Sequence, residues 1–186
     1  MTRVLATGFE PFDGASVNPS QQLIEALEGE VATALLPVSY ARAAVELRGA
    51  VRVAEPDVVI CFGQASDRTG ISIERFAHNL DEATTTDNDS VAGSGTAIDP
   101  VGPAAYPSTL PVDEIVAALR ADGILAEPSR DAGGFLCNHV FYALMSLLEE
   151  ERPRTIGGFV HLETSMPLET LVRAARIIIA SARGLM

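Results

Sequence analysis

Cysteine is scarce in this 186-residue chain: Cys61 and Cys137 are the only two, and neither belongs to a C-x-x-C pair or a Cys/His cluster. A zinc site takes about four ligands at recognisable spacing, so two cysteines and three scattered histidines argue against one, and no metal is expected. Two cysteines do not make a disulfide framework either, which points to a reducing compartment. Positive charge is also short. Thirteen Lys and Arg face 25 Asp and Glu, the net charge is −12, and the basic residues form no run. A duplex-binding surface needs clustered cations, so nucleic acid is not an expected partner, and the acidity reads as a solubility feature. No stretch approaches the roughly 20 apolar residues of a membrane span. The apolar run after Met1-Thr2-Arg3 is too short for a signal segment, and no cleavage site follows it. Together these absences predict a soluble, cytoplasmic protein that makes no membrane contact.

An apolar fraction of 47% and a charged fraction of 20% are ordinary for a globular chain, and the length suits one domain over residues 1–186. No internal repeat or low-complexity block interrupts it. Short apolar runs alternate with helical periods, the pattern of an α/β sheet covered by helices on both faces. Arg3 to Phe9 reads as a first strand. Asn18-Pro19 reads as a helix start, cap then first position, with Leu23, Ile24 and Leu27 inward and Gly29 closing the helix. A strand over 31–38 and a helix over 41–54 follow. Asp57 to Phe62 is a continuous apolar run between Pro56 and Gly63, as a doubly buried central strand requires. Residues 71–80 alternate like one strand, with Glu74 among the residues of one side. Residues 84–108 form a long Thr/Asp/Gly/Pro-rich connection, functional or mobile at that length. Helices are expected over 111–122, 135–150 and 167–183, with strands near 124–128 and 155–162.

Three residues invite chemistry. Cys137 follows the turn Asp131-Ala132-Gly133-Gly134 and sits at a helix start, where unpaired N–H groups and the helix dipole favour a thiolate and can hold an oxyanion. A buried cysteine serving as a small apolar residue is an equally open reading of that position. Cys61, inside Val58-Val59-Ile60-Cys61-Phe62, reads as core. A thiol nucleophile needs a base. His139, two residues from Cys137, points elsewhere on a helix, and His78 fits a solvated loop. His161 ends an apolar strand, where sites in open α/β sheets gather, although an ordinary strand-end histidine fits as well. Glu74 lies mid-strand. It either orients a catalytic histidine through Nδ1, pairs with an arginine, or faces water.

Four separated blocks, in order, resemble the pyroglutamyl peptidase I (pyrrolidone-carboxylate peptidase) family. They are Thr7-Gly8-Phe9-Glu10-Pro11-Phe12 running on to Val17-Asn18-Pro19-Ser20; Gly63-Gln64-Ala65-Ser66 leading through Arg68 to Ile71-Ser72-Ile73-Glu74-Arg75; Leu136-Cys137-Asn138; and Gly158-Phe159-Val160-His161. The resemblance implies a single three-layer α/β/α domain with a mixed, twisted sheet and a cysteine peptidase that removes an N-terminal pyroglutamyl residue from peptides. It implies no metal or cofactor, and often a tetramer. By matching position, Cys137 is the nucleophile, His161 its base and Glu74 the group that orients His161. Phe9 and Phe12 supply apolar faces to the lactam ring, and backbone near Gln64 bonds its edge. The chain departs from the family at Asp67-Arg68, at His161-Leu162-Glu163, and in the short segment Glu163 to Met166 before the last helix. The last departure bears on oligomer and peptide preference, and Glu163 is positioned to raise the pKa of His161. Two other readings compete: a different cysteine acyl hydrolase, or a non-catalytic binder of blocked N-termini.

Overall fold

The computed structural model describes residues 2–185. Its chain order is β1 (Val4–Phe9), α1 (Pro19–Ala26), β2 (Ala32–Leu36), α2 (Ala43–Ala54), β3 (Val58–Ala65), β4 (Ile71–Glu74), β5 (Phe76–His78), β6 (Ala105–Pro107), α3 (Val112–Ala121), β7 (Ala126–Ser129), α4 (Leu136–Glu151), β8 (Ile156–Glu163) and α5 (Leu168–Arg183). Six strands form one sheet in the order β2-β1-β3-β8-β4-β7. The first four run parallel, whereas β4 pairs antiparallel with β8 and carries β7 parallel beside it, so the sheet is mixed.

Both faces of that sheet are covered, which is why its central strands read as unbroken apolar runs. Val58, Ile60 and Phe62 of β3 pack with Leu23, Ile115 and Ile178 from α1, α3 and α5. The alternate residues Val59 and Cys61 pack on the opposite face with Leu47 of α2 and Phe141 and Leu144 of α4. The helices thus form two layers around the sheet. Among the described residues, no helix is long and apolar enough to cross a membrane.

Local signals account for most boundaries. Asn18 caps α1 by accepting the Ser20 N–H, with Pro19 at the first position. Leu27 closes that helix two residues before Gly29, whose φ of +83° belongs to the turn beyond it. The expected strand over 71–80 is two strands, because the chain leaves the main sheet at Arg75 and β5 pairs antiparallel with β6 instead. The long connection is tied down from within. The Asp87 carboxylate accepts the N–H groups of Tyr40, Asp89 and Val91, and Asn88 donates to Glu10 and to the Pro11 carbonyl.

Cys61 is fully buried, and that burial pushes its thiol up to about 12, against the opposing Thr7 hydroxyl. Because the folded value lies above the unfolded one, the proton-linked stability is whole below about pH 9 and is lost as pH climbs toward 12. Cys61→Ala is expected to cost about 1–2 kcal/mol near neutral pH by leaving a small void. Its melting temperature should then fall less steeply than that of the wild type between pH 9 and pH 11. Thermal denaturation across that range checks both effects; parallel curves would refute the titration.

Candidate active site

The site forms on the α2/α4 side of the sheet. In register, His161 lies beside Gly63 of β3 and opposite Ser72 of β4. Strand side chains alternate, so Glu74, two residues past Ser72, projects on the same face as His161. His161 Nδ1 meets Glu74 Oε1 at 2.7 Å, and both side chains are buried. Arg68 donates to that same Oε1 at 2.5 Å. The two partnerships open to Glu74 in the sequence, a histidine and an arginine, therefore coexist on one oxygen. Glu74 is 0% exposed, and a carboxylate so buried needs such partners. Its Oε2 has no protein partner among the described residues.

Cys137 is the second residue of α4. Phe135 takes the cap position in an extended conformation and no side chain caps the helix, so first-turn N–H groups remain available at the sulfur's end. The backbone reaches this start through Gly133, whose φ of +78° suits glycine. The sulfur rests over β3: a Cβ added to Gly63 would lie 2.8 Å from Cys137 Sγ. The expected acidified thiol is not found. Burial pushes the Cys137 thiol up to about 12, the Glu74 charge adds to that push, and Arg68 opposes it. Of these effects, desolvation against the packed sheet is the largest.

Cys137 is only partly buried because it opens on a cavity of about 350 Å³. Phe9, Phe12, Gln64, Arg68 and His161 line the same cavity. Phe9 is 3% exposed and also packs on Phe159 at 6.4 Å, so it serves core and cavity together. Phe12 packs on Phe135 at 5.7 Å. Gln64 brings a buried side-chain oxygen with no protein partner among the described residues. Sequence reasoning missed Asn18 and Phe135 as lining residues, and it placed Arg68 within a block that matches the family without giving it a role. Asn18 carries a strong cap signal that conceals its second position, and nothing local marks Phe135. The connection after β5 contributes Ala83 and Thr85 to the wall.

The other histidines are engaged elsewhere. His139 Nδ1 meets Asp81 Oδ2 at 2.8 Å and packs edge-on against Tyr40, while His78 Nε2 bonds the Arg130 carbonyl. Glu163 does not reach toward His161 as its position in sequence suggested. Its carboxylate accepts the Ser165 hydroxyl and the Gly70 N–H, which hold it below the usual carboxylate range.

Comparisons with known proteins agree on one family. A family model described as pyroglutamyl peptidase matches residues 2–183. The chain is 41% identical to a pyrrolidone-carboxylate peptidase of Bacillus licheniformis, over 94% of this chain and 89% of that one. It is 40% identical to the Streptomyces coelicolor protein of the same name, over 98% and 92%. Among solved structures, pyroglutamyl peptidase I of Bacillus amyloliquefaciens superposes with a TM-score of 0.95 at 35% identity, covering 99% of this chain and 98% of that one. Pyrrolidone carboxyl peptidase of Thermococcus litoralis gives 0.92 at 32%, covering 99% and 94%.

Proposed function

Given that the chain belongs to the pyroglutamyl peptidase family, and so is a cysteine peptidase acting on peptides with N-terminal pyroglutamate, we propose that Cys137, His161 and Glu74 carry out the hydrolysis. One observation carries this reading. His161 commits Nδ1 to Glu74 at 2.7 Å, which leaves Nε2 as the free ring nitrogen in the cavity that holds the Cys137 sulfur.

A thiol pushed up to about 12 is not a standing thiolate, so the proton leaves as attack begins. His161 Nε2 accepts it while Sγ adds to the pyroglutamyl carbonyl. The imidazolium so formed is stabilised through Nδ1–H donated to Glu74. N–H groups of the uncapped first turn of α4 receive the negative oxygen of the tetrahedral adduct. The leaving amine takes the proton back from His161. Water, deprotonated by the same ring, then splits the thioester and frees pyroglutamate and Cys137.

The cavity suits a neutral lactam. Phe9 and Phe12 offer apolar faces, and polar atoms near Gln64 meet the ring edge. The open amine and carboxylate of an N-terminal glutamate would be stranded against those faces. Fluorophore release from pyroglutamyl-, glutamyl- and prolyl-aminocoumarin tests this under reducing conditions. The pyroglutamyl compound is expected to exceed both others in kcat/KM by at least about 100-fold. Comparable turnover of the prolyl compound would overturn the assignment of the lactam edge. Inert pyroglutamyl substrate beside an active N-acyl one would overturn the function. The two reduced cysteines suit action in the cytoplasm, as one catalytic domain.

A further inference from the structure

Arg68 stands between three parts of the site. It lies in the turn from β3 to β4 and lines the cavity, with a side chain only 20% exposed. One nitrogen, Nη1, donates to Glu74 Oε1 at 2.5 Å and to Ser129 Oγ at 3.1 Å, while Nη2 donates to the Asp131 carbonyl. Ser129 ends β7, and Asp131 opens the turn that delivers Cys137 to the start of α4. The planar fork of the guanidinium thus grips the carboxylate that orients His161 and the backbone that leads to the nucleophile.

We propose that Arg68 is a positioning residue of the reaction, holding Glu74 in register with His161 and anchoring the 129–134 turn ahead of Cys137. The inference rests on the Cys/His/Glu reading above and adds a fourth residue to it. Arg68 is tied through Glu74 and the turn, so its effect reaches the reacting atoms through those groups.

The arrangement has an electrostatic side. Arg68 is the cation that draws the Cys137 thiol downward against burial and the Glu74 charge. It also shares the Glu74 oxygen with His161, so removing it leaves that oxygen with the imidazole as its one partner among the described residues. Other ionisable groups surround this cluster, among them Tyr40, whose phenol is pushed upward by burial and by the charges of Asp81, Asp87 and Cys137. Cys137 of α4 and Cys61 of β3 are high-pKa thiols, Glu163 of β8 is bonded to Gly70 and Ser165, and Asp131 bonds the Gly133 N–H. Asp67, next to Arg68, is exposed.

The test compares wild type, Arg68→Gln and Arg68→Lys by kcat, KM and the pH dependence of Cys137 alkylation by iodoacetamide. Arg68→Gln should lose about 30-fold or more in kcat, with KM changed less than about threefold. Its alkylation midpoint should rise. Arg68→Lys restores the charge without the fork. It should recover the alkylation midpoint but regain only part of kcat. Wild-type kcat and an unmoved alkylation midpoint in Arg68→Gln would overturn the proposal. So would a loss confined to KM, or a loss of thermal stability that accounts for the whole drop. Alkylation needs no substrate. Inert wild-type enzyme with an Arg68-dependent alkylation midpoint would therefore sink the peptidase reading and leave the Arg68 coupling standing.

Discussion

Cys137→Ala is expected to lower kcat toward pyroglutamyl-aminocoumarin by at least about 1,000-fold, because among the described residues Cys137 brings the one thiol to the cavity lining. Cys61, the second thiol, is sealed in the core between the sheet and α4. The fold should survive, since the lost sulfur borders a cavity and the helix start keeps its backbone. Far-UV circular dichroism and the melting temperature serve as the check on folding. The neutral thiol sharpens the prediction. In the absence of substrate, iodoacetamide alkylation of wild type at Cys137 should be slow near pH 7 and accelerate as pH rises toward about 12. A fast, pH-independent reaction would show a standing thiolate instead, and catalysis would begin from an ion pair. Retained turnover in Cys137→Ala would remove the mechanism altogether.

Gly63→Ala should be nearly as damaging from a position that has no reactive group. Its Cβ would lie 2.7 Å from Phe159 Cζ and 2.8 Å from Cys137 Sγ, both closer than real contacts allow. Phe159 cannot yield. It is fully buried, flanked by Phe9 at 6.4 Å and Phe141 at 6.0 Å. The sulfur, which borders open space, is what moves. Displacing a nucleophile by even about 1 Å costs on the order of 100-fold in rate. The overpacking adds about 1–3 kcal/mol of destabilisation, a fall in melting temperature of several degrees. The expected signature is a kcat reduced roughly 100-fold with KM changed little, beside a folded but less stable protein. A kcat within threefold of wild type would mean that the sulfur does not rest over β3 in solution.

Much of the architecture was legible in the chain. The apolar run through Val58, Ile60 and Phe62 announced a strand buried on both faces, and the strand does pack both ways. Asn18-Pro19 announced a helix start through chemistry confined to neighbouring residues. Such features depend on short-range hydrogen bonds and on burial periodicity, both of which are written locally. The exception, 71–80, shows the limit. Its alternation persists through Arg75 although the two halves belong to different sheets, because the choice of pairing partner is made by residues 105–107 and 156–163, far along the chain.

The candidate site divides the same way. Residue types and order put forward Cys137, His161 and Glu74 with other readings open at each, and the resemblance to the pyroglutamyl peptidase family assigned their roles and added Phe9, Phe12 and Gln64. Their meeting was decided by the sheet. Antiparallel pairing of β4 with β8 sets Glu74 and His161 on one face, and α4 brings Cys137 over Gly63. The state of the thiol and the double grip on Glu74 were likewise beyond the sequence. Both depend on how much water and which charges surround a group, and those surroundings come from segments up to 87 positions apart, the separation of Glu74 and His161. Local chemistry and the family resemblance put the participants forward, and only long-range packing determined their distances and their solvation.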